Sequence, residues 1–275
     1  MKNVHAGGAD IPAIGLGTWQ LKGDTATEIV REAIAGGYRH IDTARMYDNE
    51  AAVGRGIAEA PVARDDVFLT TKIWPSDHGA AALISAAEDS VKTLGVEHGD
   101  LLLLHWPSRV VPLEETLEAL NAVRDRGLAQ HIGVSNFNRA LVDEAVRLSD
   151  APIVTNQVEY HPFLDQSTLL SGLRGHGISL TAYSPIAKGE VVGHPVLKEI
   201  ADQHGVSEVQ VTLAWHIAQE GVIAIPRSSK IERVMQSLAA FELTLSAEEI
   251  AAITELGSAE GRMVQMPDYA PEWDT

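Results

Sequence analysis

Eight short apolar runs alternate with helical patterns along this chain, and that alternation limits the possible folds more than any other feature. The runs are residues 14–18, 40–44, 67–73, 101–106, 131–135, 153–158, 178–183 and 222–225. Several are continuous, such as Leu101-Leu102-Leu103-Leu104, which suits strands buried on both faces. The stretches between them have helical spacing. Ile29, Val30, Ala33 and Ile34 repeat on one face before Gly36-Gly37, with Asp24 or Thr25 as the expected cap. Eight strand–helix units in 275 residues, with no compositional shift to mark a linker, predict one α/β domain over residues 1–275. Its expected form is a (β/α)8 TIM barrel, for which ~250 residues is typical.

Some segments fall outside the repeat. Residues 1–13, with Gly7-Gly8 at their middle, read as a β-hairpin cap. Two helices, at 195–204 and 207–220, are expected between the seventh and eighth strands, and two more, at 231–238 and 247–256, after the eighth. Residues 257–275, interrupted by Pro267 and Pro271, read as an irregular C-terminal tail over the mouth of the barrel.

Composition removes several function classes. The chain has no cysteine, which excludes disulfides, thiolate nucleophiles and cysteine zinc sites. A net charge of −17 repels a phosphate backbone, so no nucleic-acid partner is expected. No apolar run approaches the ~18 residues of a membrane span, and residues 1–5 lack the apolar core of a secretory signal. No membrane partner is expected, and the location is expected to be cytoplasmic. No long exposed apolar face stands out, so a monomer or a weak dimer is expected, the monomer first.

In such a barrel the chemistry sits at the C-terminal ends of the strands. Those ends are unusually polar here: Asp42, Lys72, His105, Ser135-Asn136, Gln157, Tyr183-Ser184 and Arg227-Ser228, with Tyr47 on the second loop. A carboxylate that ends a buried strand costs several kcal/mol if desolvated alone, so Asp42 requires a cation from elsewhere in the chain. Any one of these groups could cap a helix or be satisfied in the core. Together, facing one mouth, they make a polar cavity. The 11 histidines contain no HExxH or similar spacing, and no metal is expected.

These segments resemble the aldo-keto reductase family. The matching stretches are Gly37-Tyr38-Arg39-His40-Ile41-Asp42-Thr43-Ala44 with Tyr47 and Asn49-Glu50, Thr71-Lys72-Ile73-Trp74, Leu104-His105-Trp106-Pro107, Ile132-Gly133-Val134-Ser135-Asn136-Phe137, Asn156-Gln157-Val158-Glu159-Tyr160-His161-Pro162 and Ile225-Pro226-Arg227-Ser228. The resemblance implies a catalytic tetrad of Asp42, Tyr47, Lys72 and His105. It implies hydride transfer from NADPH to an aldehyde or ketone, with Tyr47 as general acid. A free phenol has a pKa of about 10, and the ammonium of Lys72, held by Asp42, is expected to lower it. His105 either orients the carbonyl or joins the proton relay.

The resemblance also allots the cofactor site. Ser135, Asn136 and Gln157 would hold the nicotinamide carboxamide, with Asp42 nearby, and Tyr183 would stack on the ring. Gly17, Thr18 and the 184–189 loop, beginning at Ser184, would follow the sugar and pyrophosphate. Arg227, Ser228 and Arg233 would hold the 2′-phosphate, favouring NADPH over NADH. Three of the seven residues 227–233 are basic in a chain with 21 Lys and Arg, which suits a phosphate. No GxGxxG opens a helix, so no Rossmann unit is expected.

Trp19, Trp74 and Trp106, with Tyr47 and His105, would line the substrate pocket. Arg45 and Arg262 are read as solvated in preference to binding a carboxylate. Short loops, and the segment Ala182-Tyr183-Ser184-Pro185-Ile186-Ala187-Lys188-Gly189, make the chain most similar to bacterial 2,5-diketo-D-gluconic acid reductases. Small keto sugars or dicarbonyls, such as 2,5-diketo-D-gluconate or methylglyoxal, are the implied substrates. Two other readings share this fold. An NADPH-binding sensor of the same fold requires a damaged tetrad or an added segment, and an aldolase or isomerase using Lys72 as a Schiff base requires a lysine without a carboxylate beside it.

Overall fold

The computed structural model describes residues 2–274; the ends of the expected 1–275 domain, Met1 and Thr275, lie outside the described residues. The chain opens with an antiparallel hairpin, β1 (Asn3–Ala6) and β2 (Ala9–Pro12), that turns at Gly7 and Gly8, both with positive φ. Eight parallel strands follow: β3 (Leu16–Gly17), β4 (His40–Asp42), β5 (Phe68–Ile73), β6 (Gly99–Leu104), β7 (Ala129–Ser135), β8 (Ile153–Glu159), β9 (Ser179–Tyr183) and β10 (Val222–Ala224). Each pairs with its neighbours in chain order. The ring closes where Gly15 donates to the Ala224 carbonyl and Ala224 to the Ala13 carbonyl, each at 2.9 Å. This is the expected (β/α)8 barrel.

The outer layer holds α1 (Gly23–Ala35), α2 (Glu50–Ala58), α3 (Ala80–Leu94), α4 (Leu113–Asp125), α5 (Arg139–Leu148), α6 (Ser167–Gly175) and α8 (Glu208–Ala218). The additional α7 (Pro195–His204) precedes α8, and α9 (Ile231–Leu238) and α10 (Ala247–Thr254) follow β10. Ser207 and Ser246 cap α8 and α10 in reciprocal capping boxes with Gln210 and Glu249. The cap of α1 departs from expectation. The helix starts at Gly23, after Lys22, ahead of both Asp24 and Thr25. Lys22 is held by its ammonium on the Tyr47 carbonyl, and Gly23 turns with φ +49, which a residue bearing a Cβ rarely adopts.

Strand faces and helix stripes together bury a core of aliphatic side chains, with Leu101 to Leu104, Ile132, Val134, Leu180 and Ile223 all inaccessible or nearly so. His40 sits under the hairpin, between the Pro12 carbonyl and the Thr70 hydroxyl, each 3.3 Å away. The lower end of the barrel is therefore packed, and the opposite, C-terminal end of the strands is left for a site. No helix among the described residues is long and apolar enough to cross a membrane.

Candidate active site

The strand ends open into a cavity of about 820 Å³. Asp42 ends β4, Lys72 is the penultimate residue of β5 and His105 follows β6, so three adjacent strands deliver them to one rim. Tyr47 arrives on the loop after β4, at the end of a single 3-10 turn. That loop is tied down. Asn49 donates to the carbonyls of Thr18 and Leu21 at 2.9 and 3.0 Å and accepts from the Thr43 hydroxyl at 2.8 Å.

Lys72 is fully buried, and each of its three ammonium protons has a partner. It donates to Asp42 Oδ1 at 2.6 Å, to the Thr43 carbonyl at 2.8 Å and to the Tyr47 hydroxyl at 3.2 Å. The second Asp42 oxygen accepts from Gln157 Nε2 at 2.7 Å. Burial pulls the lysine down, but the Asp42 charge and Tyr47 outweigh it and leave its pKa above the ordinary value. An ammonium so held has no free electron pair. The Schiff-base reading therefore fails.

The Tyr47 oxygen accepts from Lys72, so its own proton points away from the lysine. The expected lowering of the phenol is corrected by its surroundings: burial pushes it up, Lys72 pulls it down, and the balance lies above the ordinary value. The Trp19 ring lies 4.8 Å from that of Tyr47, and the His105 ring 5.7 Å from it, edge-on. Burial, reinforced by the Lys72 charge, holds His105 well below its usual value, so the imidazole is neutral. Trp74 packs edge-on against it at 5.1 Å.

Around this corner the other expected residues fall as follows. Ser135 donates its hydroxyl to the Gln157 carbonyl at 2.8 Å, and Asn136 donates to the carbonyl of His105 at 2.9 Å. Tyr183 donates its hydroxyl to Asn136 Oδ1 at 2.8 Å. Asp42, Ser135, Asn136, Gln157, Tyr183, Ser184, Gly17, Arg227, Ser228 and Arg233 all line the cavity, as do Trp19, Trp74 and Trp106. Thr18 does not. It is buried, with its hydroxyl on the Asp42 carbonyl at 3.0 Å, and acts as a strut for β4. Gly17 is required by the closure of the barrel, since a Cβ there would meet the Ile225 carbonyl at 2.9 Å. Non-glycine residues with positive φ recur in the loop after β9, at Ser184, Ala187 and Lys188. Such outliers concentrate at ligand sites.

The tail supplies what residue reading missed. Met263, Val264, Gln265 and Met266 form one wall of the cavity. The solvated reading of Arg262 is corrected: its side chain is 7% exposed, stacked 3.7 Å from the Trp273 ring centroid and 3.8 Å from Glu159. Glu159 itself is fully buried and accepts from the backbone of Met263 and Val264. The signal lay in the sequence, because Glu159 ends a buried strand and needs partners for the same reason as Asp42. Arg45 is a surface residue beside Asp77 and Asp89.

Comparison with known proteins identifies the family. A model of the aldo/keto reductase family matches residues 13–258. The chain is 40% identical over 267 residues to methylglyoxal reductase DkgB of Salmonella typhimurium, covering 96% of this chain and 99% of that protein. It is 39% identical over 262 residues to glyoxal reductase of Bacillus subtilis, covering 95% and 94%. Among solved structures, a protein assigned as 2,5-diketo-D-gluconic acid reductase B superposes with a TM-score of 0.98 at 45% identity, covering 100% and 98%. The chain belongs to the aldo/keto reductase family and is an oxidoreductase of that family.

Proposed function

We propose that the protein reduces small uncharged aldehydes and dicarbonyls, methylglyoxal among them, to alcohols with NADPH, Tyr47 acting as general acid. The observation that carries this is the Lys72 ammonium. With all three protons committed, it leaves the Tyr47 hydroxyl as an acceptor on one side and a donor toward the cavity on the other.

The lining fits a phosphorylated nicotinamide dinucleotide. Amide and hydroxyl groups of Ser135, Asn136 and Gln157 line one part of the cavity, and Arg227, Lys230 and Arg233 line another. When bound, the reduced nicotinamide supplies a hydride to the carbonyl carbon. Tyr47 gives its proton to the carbonyl oxygen as negative charge develops there, and Lys72 stabilises the phenolate left behind. Asp42 keeps Lys72 charged and in place, and Gln157 holds the other Asp42 oxygen. Burial and the Lys72 charge hold His105 neutral, and on this reading the N–H sits on Nε2, from where it would donate to the carbonyl oxygen, because a bare ring nitrogen at the buried, unpartnered Nδ1 costs less than a stranded N–H.

The substrate end is aromatic and sulfur-rich. The basic side chains lining the cavity, Lys188, Arg227, Lys230 and Arg233, belong to the two segments allotted to the cofactor, 184–189 and 227–233. Arg262 faces Glu159 and Trp273 instead. Lys188 also reaches the tail wall, but its ammonium is engaged by the Met263 carbonyl at 3.1 Å, so a keto-acid sugar would bury its carboxylate against a cation that already has a backbone partner. The relatives described as methylglyoxal and glyoxal reductases support the choice of a dicarbonyl.

The test is NADPH oxidation with methylglyoxal, 4-nitrobenzaldehyde and 2,5-diketo-D-gluconate, repeated with NADH. Turnover with the first two at higher kcat/KM than with 2,5-diketo-D-gluconate, and with NADPH over NADH, is expected. A preference for the anionic sugar would overturn the substrate reading, and no turnover of any carbonyl would overturn the activity.

A further inference from the structure

Gln157 and Glu159 project from the same face of β8, being two residues apart on a strand. Gln157 holds Asp42, whereas Glu159 reaches the tail. Its two oxygens divide two consecutive amides between them. Oε1 accepts from Met263 N at 2.9 Å, and Oε2 accepts from Val264 N at 3.0 Å. His161 Nε2 lies 3.3 Å from Oε1, and Arg262 Nη1 lies 3.8 Å from Oε2. The carboxylate has no solvent exposure. These hydrogen bonds hold Glu159 below the usual carboxylate range against the opposing effect of burial.

The amides it grips belong to the cavity wall. Met263, Val264, Gln265 and Met266 all face the pocket, and Lys188 Nζ holds the Met263 carbonyl at 3.1 Å. Further on, Tyr269 packs edge-on against Trp74 at 5.1 Å, and Trp74 packs against His105. On its barrel side Glu159 stands on a rigid support, because it pairs in register with Tyr183 on β9. A rigid strand thus carries a charged clasp for a segment that has no regular structure.

We propose that Glu159 is a positioning residue for the carbonyl pocket: through the backbone of Met263 and Val264 it fixes where the tail wall stands relative to Trp74 and His105. This rests on the reading of the cavity as a carbonyl-reducing site. The geometry allows the clasp itself to be tested without turnover. Glu159→Gln keeps the size of the side chain but replaces one acceptor oxygen with an NH2 group that must face an N–H. One of the two bonds is then lost, and the charge opposite Arg262 disappears.

The experiment measures three things on full-length wild type and Glu159→Gln: amide hydrogen exchange at Met263 and Val264, NADPH affinity by fluorescence titration, and steady-state kinetics with methylglyoxal. Exchange at whichever of these two amides comes to face the NH2 group, and KM, are each expected to rise by roughly tenfold, the loss of one charge-assisted hydrogen bond, with kcat and NADPH affinity within about twofold of wild type. Val264→Pro removes one donor from the tail side and should reproduce the KM increase. The double variant should show less than the product of the two effects. Unchanged exchange at Met263 and Val264 would overturn the clasp. Faster exchange with unchanged KM would overturn its role in the pocket, and a parallel fall in kcat, NADPH affinity and melting temperature would reduce Glu159 to a structural residue. If Glu159→Gln does not fold, the KM of Val264→Pro decides. If wild type turns over no carbonyl, the activity reading fails while the exchange measurement still decides the clasp.

Discussion

Arg227 donates its Nε–H to the carbonyl oxygen of Trp19 at 2.9 Å, joining the end of the eighth barrel strand to the loop that carries the first pocket tryptophan. The Trp19 ring in turn lies 4.8 Å from Tyr47. One guanidinium therefore spans the basic outer end of the cavity and the wall beside the proton donor. Its remaining N–H groups have no hydrogen-bond partner among the described residues, and the planar fork allows a phosphate to be met while the Trp19 contact is kept.

Arg227→Lys keeps the charge and loses the fork. It is expected to weaken NADPH binding and also to raise KM for the carbonyl, because Trp19 loses its anchor. Arg233→Ala removes a cation with no such second contact, so it should weaken NADPH and leave NADH binding nearly unchanged. Fluorescence titrations with both cofactors, alongside steady-state kinetics, separate the two. Equal losses of NADPH and NADH affinity in Arg233→Ala would sink the assignment of the 2′-phosphate to this segment.

Tyr47→Phe removes the proton donor and one of the three acceptors of Lys72. Its kcat is expected to fall by roughly 10²- to 10⁴-fold, the usual worth of general-acid catalysis, with NADPH affinity retained. Reduction requires the protonated phenol. Since burial outweighs Lys72 and raises the phenol, wild-type kcat should decline only in strongly alkaline buffer, on the high-pH side. His105, held well below the usual histidine value, should contribute no limb near neutrality. A pH–rate profile with a clear inflection between pH 6 and 7 in the chemical step would contradict the neutral imidazole.

The barrel was legible because its signal is repeated. Strands such as β6 and β8 are continuous apolar runs, and period and order alone place them. The tetrad residues sit at strand ends or on the adjoining loop, where a polar group among aliphatic neighbours is conspicuous. Two matters resisted reading. The cap of α1 is set by the long-range contact from Lys22 to the Tyr47 carbonyl, which outweighs the local preference for Asp24. Arg262 looked solvated because it lies in a proline-interrupted tail, yet a buried glutamate and Trp273 enclose it. Glu159 shows that the rule applied to Asp42 could have been carried further, although sequence alone does not say which distant amides would answer it.

His78 makes stability depend on pH. It is buried directly after the 3-10 turn that follows Trp74, and its Nε2 must donate to the Ile73 carbonyl at 3.1 Å, since that oxygen can only accept. Burial lowers its pKa from 6.5 to about 4. Between those values the unfolded chain binds a proton that the folded one refuses, so this contribution is complete above pH 6.5 and is lost as pH falls toward 4. The span corresponds to about 3 kcal/mol. Urea unfolding from pH 7 to pH 4 should show the decline, and His78→Gln should reduce its slope. An unchanged slope in that variant would show that His78 is not responsible.

Gly54 tests how closely the helical layer is packed around the Tyr47 loop. It lies within α2, which begins three residues after Tyr47, and a Cβ there would sit 1.9 Å from the Leu94 carbonyl oxygen and 2.6 Å from its carbon. Both are backbone atoms at the end of α3, so no side-chain rotation can relieve the contact. Alanine would gain about 1 kcal/mol of helix propensity. Overpacking typically costs about 1–3 kcal/mol, and a clash this deep with backbone belongs at the upper end or beyond. The cost wins. Gly54→Ala should therefore lower the melting temperature by several degrees, at roughly 2–4 °C per kcal/mol for a chain of this size. Gly175, at the end of α6, has nothing within 4 Å of its ideal Cβ and no positive φ, so Gly175→Ala should be neutral or slightly stabilising. Thermal denaturation of the two variants side by side separates packing from propensity. If Gly54→Ala melted no lower than Gly175→Ala, the contact between α2 and the end of α3 would be looser than these distances require.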